Sequence, residues 1–181
     1  DLKFARENNY TIKLIARAFK EEGKVFGFVA PQFIEATNPL ASVRNEFNAV
    51  QLQGAFAEKQ LFIGKGAGSY PTGSAVLSDI SALSYDYAYE YKKRNQLGDL
   101  TFSNDLLVEV FVSFEEEDLI TIRDFDQFES GYTSHGKQYM VGLVKLKKLQ
   151  EWNQTAGVGI ILAPNAKLMS ASKRKEKLQL A

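Results

Sequence analysis

Apolar and polar positions alternate from Tyr10 to Phe19: Tyr10, Ile12, Leu14, Ala16 and Ala18 fall on one face, and Thr11, Lys13 and Arg17 on the other. This period of two predicts a half-buried strand. Glu21-Glu22-Gly23 turns the chain, and Lys24 to Pro31 reads as the return strand. Both of its faces are apolar (Val25, Gly27 and Val29 against Phe26, Phe28 and Ala30), which predicts a central position covered on both sides. Pro31 and Pro39 bracket an irregular section, and Asn45 to Phe56 reads as a strand with one more polar face, Gln51 and Gln53. The run Leu61-Phe62-Ile63 then leads into Gly64-Lys65-Gly66-Ala67-Gly68. Beyond it, Val76, Ile80, Leu83 and Tyr87 recur at spacings of four, three and four, the stripe of an amphipathic helix starting near Pro71. The tyrosines at 85, 87, 89 and 91 extend that helix toward Lys92-Lys93-Arg94, cations suited to a helix C-terminus.

The pattern weakens from Asn95 to Asp105, and a linker over 96–105 divides the chain into 1–95 and 106–165. In the second part Leu106 to Phe114, Tyr139 to Val144 and Gly157 to Ala163 read as strands, and Lys145 to Asn153 as a short helix. Phe125 and Phe128 suit a helical turn, and Gly131 to Lys137 a loop holding His135. Glu115 to Asp118 are four adjacent acids, which cannot all face one ion and read as an exposed loop. Residues 166–181 form a basic tail. The helical start at Leu2, Phe4 and Ala5, with no leading Met, suggests a piece of a longer chain. The expected fold class is mixed α+β: a sheet with helices packed on it, followed by a small α/β domain.

Composition narrows the chemistry. The 181 residues carry 22 Lys+Arg against 22 Asp+Glu, a net charge of zero that argues against nucleic-acid binding by bulk electrostatics. With no cysteine and one histidine, disulfides, thiolate sites and multi-histidine metal sites are excluded, so no metal site is expected. No apolar run is long enough to span a bilayer, and a cytoplasmic protein is the default. The remaining candidate is the glycine turn. Three glycines between a strand and a helix permit a sharp turn and a close backbone approach to a ligand, while the first-turn N–H groups favour an anion. The turn is neither a P-loop nor G-x-G-x-x-G, and a simple packing turn is the competing reading.

Taken together, residues 1 to about 85 resemble the later part of the catalytic domain of homoserine dehydrogenase. The matching words are Tyr10-Thr11-Ile12-Lys13-Leu14, Asn38-Pro39-Leu40-Ala41 with Val43, Asn48-Ala49-Val50, Gly54, and Gly64-Lys65-Gly66-Ala67-Gly68. They continue with Pro71-Thr72, Ser74-Ala75-Val76 and Asp79. The resemblance implies a parent enzyme that oxidises L-homoserine reversibly to L-aspartate 4-semialdehyde with NAD(P), in threonine and methionine biosynthesis. It implies that Gly66, Ala67, Gly68 and Thr72 line the cofactor edge. The dinucleotide fingerprint and the catalytic lysine of the family are missing, and Lys13 is not that lysine. No catalytic residue and no tightly bound cofactor are therefore expected here. The implied partners are a second copy of the chain, in a homodimer, and an upstream nucleotide-binding domain. Residues 106–163 are compatible with an ACT-like regulatory domain, with threonine as a possible effector. The usual Pro-Gly turn after its first strand is replaced by Glu115 to Asp118. A ligand-free assembly domain is the remaining alternative.

Overall fold

In a computed structural model the described residues are 1–85, 87, 100–116, 118–134 and 137–170. The chain forms two compact units, Asp1–Glu35 with Asp99–Ala181, and Ala36–Gly98.

The first unit is built on one mixed sheet. Helix α1 (Leu2–Glu7) leads into β1 (Tyr10–Glu21) and β2 (Lys24–Glu35). After the second unit come β5 (Thr101–Phe102), β6 (Leu106–Phe114), β7 (Gln127–Ser134), β8 (Lys137–Lys145), α3 (Leu146–Trp152), β9 (Val158–Leu162) and β10 (Leu168–Ser170). The strand order is β1-β2-β9-β6-β8-β7, with β10 on β6 and β5 on β2. The β1–β2 hairpin closes through Glu22 and Gly23, both at positive φ, 50° and 74°. Such a two-residue turn matches the twist of the flanking strands.

Strand β6 is central, and its register explains the two-sided core. Leu106, Val108, Val110, Val112 and Phe114 enter one cluster with Phe26, Val144, Leu149 and Trp152. Helix α3 closes that face: Trp152 packs on Phe125 at 5.6 Å between ring centroids. Phe111 points the other way, into a cluster with Ala5, Phe33 and Ile161. There α1 is the cover, its Phe4 lying 4.6 Å from Phe111 and 5.4 Å from Phe33. Strand β6 also carries Glu109, whose carboxylate accepts the Lys167 N–H at 2.9 Å. Burial pushes the Glu109 carboxyl up, whereas the Lys167 ammonium, 2.7 Å from Glu129, holds the Glu129 carboxyl down.

Several expectations are corrected. The sheet crosses the predicted 96–105 boundary, because β1 and β2 share it with β6, β8 and β9. Alternation identifies strands but not partners far away in the chain, and here Gln32 pairs with Leu162. Strand β2 runs through Pro31 to Glu35, so the irregular section begins later than expected. On β1 the face read as polar is the one partly covered: Phe19 stacks on Phe26, and Arg17 donates to the buried Gln32 at 2.6 and 3.2 Å. Burial lowers the Arg17 pKa. Its apolar counterpart is open at Leu14, 73% exposed, and across the hairpin at Val29, 64%. Residues 127–134 form an edge strand rather than a helical turn and loop; Gly, Ser and Thr on both faces give no alternation to read. Strands β5, inside the expected linker, and β10 are too short to leave a pattern. His135, Tyr89, Tyr91, the 92–94 cations and residues 171–181 lie outside the described residues.

Between β6 and β7 a 3₁₀ turn, Ile122–Asp124, stands where a crossover helix would be. Thr121 and Asp124 cap it reciprocally, the Thr121 N–H and hydroxyl both donating to Asp124 at 2.9 Å. Partial burial pushes the Asp124 carboxyl up, but the Thr121 donors and the Lys148 ammonium, 3.1 Å away, outweigh it and leave it lowered. A lowered carboxylate stabilises the fold above its unfolded value and loses that contribution as pH falls through its folded value. Asp124→Asn should therefore cost about 1 kcal/mol at neutral pH. Urea unfolding of both proteins checks this: the gap should hold above about pH 5 and narrow progressively as the pH falls below about 4.

Candidate functional site

The second unit carries the glycine turn. A 3₁₀ turn, Pro39–Ser42, opens it, with Asn38 Oδ1 accepting the Leu40 N–H at 3.0 Å. Strands β3 (Phe47–Leu52) and β4 (Gln60–Lys65) form their own antiparallel pair, with Asn48 opposite Gly64 and Phe47 opposite Lys65. Beyond the last pair the ladder continues by one bond, the Gly66 N–H donating to Glu46 O at 2.9 Å. Lys65 fastens the same corner: its ammonium is 3.0 Å from Glu46 and 5.4 Å above the Phe47 ring. A backbone hydrogen bond, then Lys65, lower the Glu46 carboxyl pKa. The strand-to-helix turn thus leaves β4 from a fixed end.

Helix α2 spans Ser69–Ser84, starting two residues before Pro71 and ending before the tyrosine run, at Tyr85. Gly68 is its N-cap, at φ 123° and ψ 157°, a conformation open essentially to glycine alone. No side chain caps the helix, so the first-turn N–H groups of Ser69 and Tyr70 have no intrahelical acceptor. The Thr72 N–H and hydroxyl both donate to Gly68 O, at 3.2 and 2.9 Å. Thr72 therefore ties the turn to the helix, and its oxygen keeps its capacity to accept.

The structure brings Gly66, Ala67, Gly68 and Thr72 together in one exposed turn, as a set contributed by neighbouring residues. One residue beside them escaped the sequence reading. A Cβ on Gly66 would overlap the Asn48 carboxamide, which lies across the turn from β3. Gly64 has open space over it. Asn48 belongs to the matching words, but only the β3–β4 register puts it against the glycines.

The site is chemically a donor-rich, flat shelf. Its bare glycine backbone admits a planar group at close range, and its uncapped helix offers N–H donors to a carbonyl or phosphate oxygen. Among the described residues no three His, Cys, Asp or Glu side chains are placed to hold a metal ion. No helix among them is long and apolar enough to cross a membrane.

The strand, glycine turn and uncapped helix lie in the part of the chain that resembles known proteins in sequence. The sequence model of the homoserine dehydrogenase family matches residues 1–81. The homoserine dehydrogenase of Bacillus subtilis (strain 168) is 40% identical over 83 residues, which is 46% of this chain and 19% of that protein. The Corynebacterium glutamicum homoserine dehydrogenase is 40% identical over 85 residues, 44% of this chain and 19% of its own length. The chain therefore spans about a fifth of the curated relatives it matches. The likeness in fold runs further. The crystal structure of a homoserine dehydrogenase from Thiobacillus denitrificans superposes with a TM-score of 0.66 at 20% identity, covering 90% of this chain and 44% of that one. The S. aureus enzyme at pH 7.0 gives 0.53 at 25% identity, over 89% and 44%. The resemblance of residues 1–81 to homoserine dehydrogenase is thus carried by sequence, and the mixed α+β fold is that of homoserine dehydrogenase structures.

The glycine turn makes a discriminating prediction. Gly68→Ala must accommodate a side chain at φ 123°, and should cost on the order of 1–3 kcal/mol. Gly64→Ala enters open space and should stay within about 0.5 kcal/mol. Chemical denaturation followed by circular dichroism measures both; equal losses would remove the special status of Gly68.

Proposed function

We propose that this chain is the C-terminal portion of a homoserine dehydrogenase, the reversible NAD(P)-dependent oxidation of L-homoserine to L-aspartate 4-semialdehyde being the activity of the longer protein. The observation that carries this reading is the turn from Gly66 to Gly68 ahead of an uncapped helix, inside the segment that matches the family. In it Gly66, Ala67, Gly68 and Thr72 form the cofactor edge. A bound nicotinamide would supply the hydride-accepting and hydride-returning chemistry. What these residues do is narrower: the glycines let the backbone approach a flat ring, the Ser69 and Tyr70 N–H groups face an oxygen acceptor, and Thr72 keeps the turn in that shape. Hydride transfer needs both reactants held at near-attack geometry. The catalytic lysine and the dinucleotide fingerprint are supplied by upstream sequence, so this chain alone is inactive.

The partners follow from surfaces left open. Val76, Leu77, Ile80 and Leu83 on α2 are all more than half exposed, and no described residue of α2 is buried. That stripe is the seat of the upstream nucleotide-binding domain. The β3–β4 pair exposes Phe47, Val50, Leu52 and Phe62, which suits a homodimer. The setting is cytoplasmic amino-acid biosynthesis.

Homoserine-dependent NAD(P) reduction, measured with this chain and with the same chain joined to its upstream sequence, tests the reading. The long form should be active and the short form silent; activity in the short form would overturn the assignment of the missing half.

A second reading concerns residues 106–165. The strand order β9-β6-β8-β7, all antiparallel, is that of a split β-α-β pair, the ferredoxin-like arrangement, with the first helix reduced to a 3₁₀ turn. This favours a degenerate ACT-like regulatory domain. A cleft of about 790 Å³ at the C-terminal end of β6, lined by Glu7, Ser113, Glu115 and Tyr139, is the place for an amino-acid effector. Threonine should then raise the thermal midpoint of the chain in a dose-dependent way. A flat titration leaves this domain a structural one.

A further inference from the structure

The overlap at Gly66 assigns a role to a residue outside the glycine turn. Three observations meet there. The Asn48 carboxamide occupies the space that any side chain at position 66 would need. Asn48 is exposed, and its amide makes no hydrogen bond among the described residues. Directly across from it, Gly64 leaves bare backbone with nothing above it within 4 Å. An amide presents two donors and one carbonyl acceptor in a plane. Here it stands at the side of a flat, side-chain-free shelf, on a strand whose end is held by the Glu46–Lys65 ion pair.

We propose that Asn48 is a cofactor-contacting residue of this site, its carboxamide hydrogen-bonding the carboxamide-bearing nicotinamide end of NAD(P) over Gly64. The proposal rests on the cofactor-edge reading above and adds a residue to it. A planar amide is matched by another amide, donor to acceptor, and the missing side chain at 64 leaves room for a ring beside it. The glycine at 66 then has a second reason. Beyond flexibility of the turn, the amide itself excludes a side chain there, because a methyl group at 66 would push the carboxamide off the shelf.

The test uses the dehydrogenase with its upstream sequence restored. Binding of NADH and NADPH is followed by the fluorescence of the reduced nicotinamide, beside thermal unfolding. Asn48→Ala should weaken binding about 5- to 10-fold, the loss expected of a single hydrogen bond. Asn48→Asp keeps the shape and removes the donors, and should also weaken binding. Gly66→Ala should weaken it comparably, and the double variant Gly66→Ala/Asn48→Ala should be no worse than Asn48→Ala, because both changes remove one contact. The thermal midpoints of the Asn48 variants should stay within about 4 °C of the parent, as for a surface substitution. Binding unchanged in both Asn48 variants, or losses that add in the double variant, would overturn the proposal. A parent that binds neither reduced nucleotide refutes the cofactor-edge reading itself, and this inference falls with it.

Discussion

Everything in the larger unit depends on β6 being buried on both faces. Residues Leu106 to Val108 and Val110 to Val112 are all nearly inaccessible. A strand in that position cannot satisfy its own burial; it needs paired strands on both edges and a cover on each face. Strands β8 and β9 supply the edges, α3 one cover, and α1 the other. The α1 cover is only six residues long, too short to be stable as an isolated helix. It holds because Phe4 and Ala5 are pressed on Phe33 and Phe111, so the first residues of the chain and its last strands are stabilised by the same contacts.

How far this was legible in the sequence depends on the range of the interaction. The hairpin β1–β2, the buried run of β6 and helix α3 are local patterns, and each stands where the periodicity puts it. The glycine turn was legible because conformational demand is written in residue type: Gly68 sits at a φ that other residues avoid. Partner choice is a different kind of information. Nothing local in Gln32 announces Leu162 as its neighbour, so a division at 96–105 looked natural although one sheet spans it. The covered face of β1 was misread for a related reason. Arg17 looks polar, yet it is partly buried, its guanidinium donating to the buried Gln32. Asn48 was hidden at the candidate site because its meaning is positional: only once β3 and β4 are registered does it meet Gly66.

The smaller unit contrasts with the larger one. Its two-stranded sheet and single helix bury little: no described residue of α2 is inaccessible, and both strands expose large apolar side chains. Such a hairpin has marginal stability by itself. Its order is concentrated in polar and conformational devices instead, namely the Asn38 cap, the Glu46–Lys65 pair and the Thr72 bonds to Gly68. Those devices fix local geometry without supplying much stability.

The larger unit is discontinuous: its first 35 residues are separated from the rest by the whole of the smaller one. Synthesis runs from the N-terminus, so the β1–β2 hairpin leaves the ribosome long before Leu162 exists to pair with Gln32. Until then the apolar side chains of Phe26 and Phe33, which end almost wholly buried, have no β6 or β9 to cover them. The nascent hairpin must wait with its edge open while the smaller unit and the strands up to β9 are made. A chain threaded in this way is most vulnerable to chaperone capture and to pairing with a neighbouring nascent chain during that interval, and the strands that follow the smaller unit close the hairpin that precedes it.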